Sequence, residues 1–224
     1  LVICGDLFDR GPETVELVEY INTLTNVVLV KGNHETLMEN MWERGYAKSH
    51  DVSNGTLRTA NDILYDKAEE MGKKEPFTII REVLQPIFGR TVDYFETKNY
   101  VFVHGWIPMK YNHEDPFAIY DEPTLYDPNW RDGDWEEARW FNGIKKALQG
   151  IIVPDKTVVC GHWHCSYGHM RDSIKTDNWI SEFEEDAKWD PYYSKGIIAI
   201  DRCTAYTNEC NVLVLEDELL EENQ

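Results

Sequence analysis

Four polar clusters in this sequence each follow an apolar run: "GDLFDRG" (5–11) after "LVIC", "KGNHE" (31–35) after "VVLV", "HGW" (104–106) after "YVFV", and "GHWH" (161–164) after "TVVC". Their chemistry-bearing members are Asp6, Asn33, His104, His162 and His164. Carboxylate oxygen, amide oxygen and imidazole nitrogen together suit a divalent ion of the Mn, Fe or Zn type. An Asp can also bridge two ions, as two-metal hydrolytic sites require. Taken singly, each residue has a plainer use. Asp6 could cap a helix, Asn33 could serve a turn, and His104 could be a hydrogen-bonded core residue. Four clusters at four strand ends are harder to explain that way.

The last cluster sits inside "VVCGHWHCSYGHM" (158–170), which offers a competing use as a structural zinc site built from Cys160, His162, His164, Cys165 and His169. Structural zinc usually joins two ligand pairs across a loop, and these ligands are immediate neighbours. Cys160 also belongs to the apolar strand, where packing suits it better.

Such clusters need strands to carry them. "LVIC" reads as a buried strand ending at Gly5. Pro12 suits the first turn of a helix with Leu17, Val18, Ile21 and Leu24 on one face, and "NVVLV" (26–30) is a second strand. Strand–helix–strand in this order implies a parallel pair with a crossover helix. Residues 35–85 read as mostly helical, broken at "SNG" (53–55), and the 35–99 region is expected to be a helical insertion or cap. Later strands are expected at "YVFVHG" (100–105), "KTVVCGH" (156–162), "KGIIAID" (195–201) and "NVLVLED" (211–217), before an acidic tail at 216–224. With no repeat or linker, one mixed α/β domain over 1–224 is the simplest organisation. Ligands of open α/β sheets bind outside the carboxyl ends of the strands. If the four strands share that edge, their polar residues converge.

Acidic residues outnumber basic ones, 41 to 22, for a formal charge of −19, so a basic nucleic-acid footprint is missing. An anionic substrate remains compatible, because surface charge fades over roughly 8 Å and a metal in a cleft dominates its own field. No apolar run approaches the ~20 residues of a membrane span, and no basic leader precedes an apolar stretch. Five cysteines without a CxxC pair suit a reducing, cytoplasmic setting.

In order and spacing, "GDLFDRG", "GNHE", "HGW" and "GHWH" resemble the blocks of the calcineurin-like metallophosphoesterases, whose pattern is GDxH, GDxxDR/G, GNH[E/D], H, GHxH. The DRG and GNHE forms are most similar to the phosphoprotein phosphatase branch, which includes serine/threonine phosphatases and diadenosine tetraphosphatases. The resemblance implies a four-layer α/β/β/α sandwich of mixed sheets with flanking helices. It also implies a serine/threonine-type protein phosphatase that hydrolyses phosphomonoesters with two divalent ions, Mn foremost and Fe, Zn, Co or Ni as alternatives. Attack would be direct, by metal-bound hydroxide.

Carried over residue by residue, Asp6 resembles the bridging carboxylate, and Asn33, His104 and His162 the other ligands of the second metal. His164 matches the last His of GHxH, a ligand of the first metal that protein phosphatases commonly lack. His34 resembles the general acid and Asp9 its orienting partner. Arg10 and Asn33 resemble phosphate contacts, as does a second arginine, Arg139 in "EARWFNG", with Arg131 its competitor. The family's GDxH block would lie some tens of residues before Gly5, so a segment ahead of Leu1 is expected. The implied substrate is a phosphorylated protein or a small phosphoester or nucleotide, with neither nucleic acid nor membrane as partner and the oligomeric state open. Two alternatives stand beside this. One is a dinucleoside polyphosphate hydrolase or phosphodiesterase, with Trp106, Trp130, Trp135, Trp140 or Trp163 stacking on a base. The other is a non-catalytic module that keeps the phosphate pocket.

Overall fold

The opening apolar run forms a short strand, β1 (Val2–Ile3), in a computed structural model that describes residues 1–112, 123–176 and 179–220. The chain divides into two units, Leu1–Asp93 and Tyr94–Gln224.

In the first unit β1 is followed by α1 (Thr14–Thr23), β2 (Val28–Val30), α2 (Asn33–Arg44), α3 (Ser49–Ser53), α4 (Thr56–Asp66), α5 (Pro76–Phe88) and β3 (Thr91–Val92). The three strands make a parallel sheet in the order β1-β2-β3, with Val2 opposite Val28 and Leu29 opposite Thr91. The crossover is α1, as the strand–helix–strand order requires, although it begins at Thr14, two residues beyond Pro12. Its Val18 and Ile21 are buried with Leu29 of β2, Met38 and Met41 of α2, Ile63 of α4, and Ile80 and Leu84 of α5. Burying each such side chain contributes about 1.5–3 kcal/mol. The helices of the 35–99 region therefore share one core with the sheet, because their apolar faces have the same strands to cover.

The second unit runs β4 (Phe95–Glu96), β5 (Tyr100–Val103), β6 (Met109–Lys110), β7 (Leu125–Tyr126), α6 (Trp135–Ala138), α7 (Gly143–Leu148), β8 (Thr157–His164), α8 (Cys165–Ser173), β9 (Tyr192–Ser194), β10 (Ile197–Asp201) and α9 (Thr204–Thr207). Its main sheet has the order β4-β5-β8-β10-β9. The central strands β5, β8 and β10 are parallel, and both edges are antiparallel. Successive residues are buried in β8 and β10, and in β5 buried Val101 and Val103 alternate with half-buried Tyr100 and Phe102. Central parallel strands of this kind read as apolar runs, which is why "YVFV", "TVVC" and "IIAI" were legible. Val101, Val103, Val158, Cys160, Ile197 and Ala199 form the core with Trp106, Trp130 and Ile144. The architecture is mixed α/β, of the kind expected for a metallophosphoesterase.

Two expectations change. The four strands carrying the polar clusters do not share one sheet: β1 and β2 lie in the first, β5 and β8 in the second. "NVLVLED" forms no strand, and Val212 and Val214 are 75% and 93% exposed. Strand propensity needs an adjacent edge to pair with, and this segment is instead held by side chains at its end. Asp217 accepts from Thr97 Oγ1 (2.6 Å), Asn99 N (2.8 Å) and Asn99 Nδ2 (2.6 Å). Residues 221–224 of the acidic tail and 113–122 of the loop before Arg139 lie outside the described residues.

Candidate active site

In the first unit the 5–11 loop, after β1, packs on the corner between β2 and α2. Glu35, the third residue of α2, accepts from the backbone of Gly32 (2.7 Å), Asp6 (2.9 Å) and Leu7 (2.8 Å). The Gly32 bond is half of a capping box, and the other two tie the loop to the helix start. Gly32 is required there, since a Cβ would stand 2.3 Å from Asp6 Oδ1 and 2.5 Å from Asp6 N. Asp6 and Arg10 have φ of 55° and 71°, a conformation that costs non-glycine residues about 1–3 kcal/mol and gathers at functional sites.

Asp6 Oδ1 accepts the backbone N–H of His34 at 3.1 Å. The buried His34 ring has its two nitrogens committed in opposite directions. Nδ1 lies 2.6 Å from Asp9 Oδ2, so it carries the proton and donates, while Nε2 faces Asp6 Oδ2 at 3.8 Å. Burial pulls the imidazolium pKa down, but the Asp9 hydrogen bond and the charges of Asp6 and Asp9 outweigh it and raise the pKa above the ordinary 6.5. The Asp9 side chain is only 5% exposed and also accepts from Thr56 Oγ1 (2.5 Å) and Thr59 Oγ1 (2.7 Å). Arg10 is exposed, with Nη2 donating to Asn54 Oδ1 at 3.0 Å. Asn33 is buried at the first position of α2.

In the second unit His104 directly follows β5, and its carbonyl accepts from Gly161 N (2.9 Å) at the start of "GHWH". That cluster lies within β8 rather than after it. Between the pairs Ala199↔Cys160 and Asp201↔His164, β8 advances four residues while β10 advances two. The surplus is a bulge, which re-aims a side chain beside an active site, and His162 within it has φ 63°. Its ring lies 4.9 Å from that of His104, centroid to centroid.

His162 Nε2 lies 3.2 Å from the Trp140 carbonyl, which can only accept, so the lone pair of the neutral ring is on Nδ1. The 138–141 loop supplying that carbonyl also packs on the His104 turn. Ala138 O accepts from Trp106 N (3.1 Å), and a Cβ on Gly105 would come within 2.6 Å of Arg139 O.

Arg139 is thus buried in the loop that orients the histidine pair. Its competitor Arg131 is committed elsewhere, bidentate on buried Glu96 at 2.9 and 2.6 Å. His164 is not beside His104 and His162 in the same way: its Nε2 bonds Glu182, and its ring stacks on Trp163. The structural-zinc use loses its thiolates. Cys160 is core, burial pushes the Cys165 thiol up to about 12, and His169 Nε2 is taken by Asp190 O at 3.0 Å. The contributions of Glu35, Thr56, Thr59 and the Trp140 carbonyl went unread in the sequence. Only Glu35 left a signal, its capping-box position.

A family model described as calcineurin-like phosphoesterase matches residues 1–166. The chain belongs to this family. Comparison with curated proteins and with solved structures gave no match. The match covers every one of the four polar blocks, and membership makes the chain a metal-dependent phosphoester hydrolase. The donors of this phosphoesterase fit the divalent ions its family uses. His104 and His162 bring ring nitrogens within 4.8 Å of each other, close to the ~4.2 Å that two Zn–N bonds of ~2.1 Å can span. Asp6 presents a half-buried carboxylate beside His34. Among the described residues no helix is long and apolar enough to cross a membrane.

Proposed function

We propose that this phosphoesterase hydrolyses phosphomonoesters, foremost phosphoserine and phosphothreonine in proteins, with two divalent ions, Mn²⁺ first among them. The observation carrying the reading is the buried His34–Asp9 pair, whose Nε2 faces Asp6 in the "GDLFDRG"–"GNHE" setting. Asp6, Asn33, His104 and His162 are the proposed ligands. His164 is proposed for the first metal, and its pairing with Glu182 supports this, since metal-binding histidines commonly give their other N–H to a carboxylate. When bound, such ions neutralise phosphoryl oxygens and lower the pKa of a water from about 15.7 toward ~7.

The chain's own residues would do the rest. Arg10 and Arg139 are the proposed phosphate contacts, since a planar guanidinium suits phosphoryl oxygens. Water adds its oxygen to phosphorus and loses a proton to solvent. The bond from phosphorus to the alcohol oxygen breaks, its electron pair stays on that oxygen, and the doubly protonated His34 ring gives it the Nε2 proton, which solvent then replaces. Asp9, on the far side of the ring, keeps Nδ1 protonated and the ring aimed. A positioned acid of this kind contributes about 10²–10⁴ in rate.

The test is hydrolysis of p-nitrophenyl phosphate and phosphopeptides with Mn²⁺, lost on adding chelator. His34→Asn is expected to cut turnover on phosphopeptide sharply with metal content near normal; loss of metal would make His34 a ligand instead. A second reading, hydrolysis of dinucleoside polyphosphates, is favoured by Trp140, which is 44% exposed with its ring 6.2 Å from that of His162. Trp106, Trp130 and Trp135 are buried and unsuited to stacking on a base. Parallel assays on phosphopeptide and diadenosine tetraphosphate separate the two.

A further inference from the structure

The break between α3 and α4 sits against both residues of the "DR" pair in "GDLFDRG". Asn54 Oδ1 accepts from Arg10 Nη2 at 3.0 Å, and Gly55, with φ 90°, lets the corner approach Arg10, whose Cγ would be 2.9 Å from a Cβ there. The next residue, Thr56, and Thr59 about one helical turn further give their hydroxyl protons to Asp9, to Oδ2 at 2.5 Å and Oδ1 at 2.7 Å. Both threonines are buried, at 0% and 1% exposure. Neither is used as a helix cap, the ordinary role of a threonine at a helix start.

We infer that this corner, Asn54, Gly55, Thr56 and Thr59, is the positioning element of the reaction, holding Asp9 so that His34 stays aimed and setting the reach of Arg10. The terminal torsion of an aspartate is soft and roughly two-fold, so one bond to His34 would not hold its carboxylate plane. Three donors on two oxygens do. Threonine suits the task because its branched Cβ restricts χ1, and residues three apart share a helix face. An ionised carboxylate can only accept, so each hydroxyl proton is spent on Asp9.

The inference rests on His34 acting as general acid, and the test separates the two ideas. Protonation matters most for a poor leaving group such as a serine alkoxide and little for p-nitrophenolate. With the full chain and Mn²⁺, Thr59→Val is expected to lower kcat on a phosphoserine peptide roughly 10–100-fold, a fraction of a general acid's ~10²–10⁴. On p-nitrophenyl phosphate the loss should be far smaller, with KM and metal content unchanged. Thr59→Ser should restore the peptide rate, and Asn54→Ala should raise KM on both substrates. In the metal-free protein the downfield Nδ1 proton signal of His34 should broaden in Thr59→Val. If Thr59→Val does not fold, Thr59→Ala, which leaves room for a water, carries the same expectations. Equal losses on both substrates, or no loss, overturn the inference while His34→Asn keeps its leaving-group dependence. If His34→Asn itself shows none, the general-acid reading falls and this inference with it.

Discussion

The carboxylate of Glu35 accepts the backbone N–H of Asp6, 29 residues earlier in the chain, at 2.9 Å. A strained loop and a helix start are thereby held in one register by a buried side chain. Glu35→Gln keeps the shape but sets an NH₂ against backbone donors. Hydrogen bonds to a charged group are worth about 1.5–3 kcal/mol, so a stability loss of that order is expected in urea melts. Metal affinity, followed by titration, should weaken with it.

Gly32→Ala is the steric counterpart. The new methyl would stand 2.3 Å from Asp6 Oδ1, and either the loop or the helix start must move. Overpacking costs about 1–3 kcal/mol. Activity on p-nitrophenyl phosphate should fall well beyond what the circular-dichroism melt accounts for, because the methyl presses directly on Asp6.

The His34–Asp9 pair should leave a pH signature in the metal-free protein. The folded-state pKa of His34 is raised above 6.5, so the stabilisation is fully present below 6.5 and lost as pH rises through the raised value. Stability against urea should decline over that window. Asp9→Asn removes the hydrogen-bonded charge, so an NMR titration should find the His34 pKa lowered and the decline diminished.

Arg131 and Arg139 should separate by phenotype. Arg131→Ala removes a bidentate partner of Glu96 but leaves Lys156 on it at 2.9 Å. With Arg131 partly exposed, a loss of roughly 1 kcal/mol is expected and kcat should hold. Arg139→Lys is expected instead to raise KM for phosphoesters, since an ammonium cannot reproduce the planar fork.

At the tail, Asp217 offers a check at low pH. Burial would raise its pKa, yet hydrogen bonds from Thr97, Asn99 and the Glu218 backbone overcome this and hold it at about 2. The anchoring is present above the ordinary carboxylate value of 3.8 and lost as pH falls toward 2. Asp217→Ala should reproduce the loss at neutral pH, read as faster amide exchange over residues 211–219.

Strand ends were the legible part of this sequence. A buried parallel strand must be apolar and its exit can be polar, so the boundary at "LVIC|GD" or "YVFV|HG" is sharp. What could not be read depends on neighbours distant in the chain. Nothing in "SNG" says that the following threonines find Asp9, and nothing in "NVLVLED" says that no strand edge awaits it. "GHWH" reads as an exit from the sheet, yet it is strand with surplus residues, because a bulge is decided by the register of β10 as much as by β8.

That surplus frees one position from the ladder's demands. Val158, Val159 and Cys160 are set by packing between Val101–Val103 and Ile197–Ala199, whereas His162 is set by the slack beyond them. A two-residue shortening of the 161–163 stretch would let β8 and β10 advance equally between the pairs Ala199↔Cys160 and Asp201↔His164 and make the sheet more regular. It would also withdraw the imidazole from His104. The most orderly version of this strand is the one without the histidine pair.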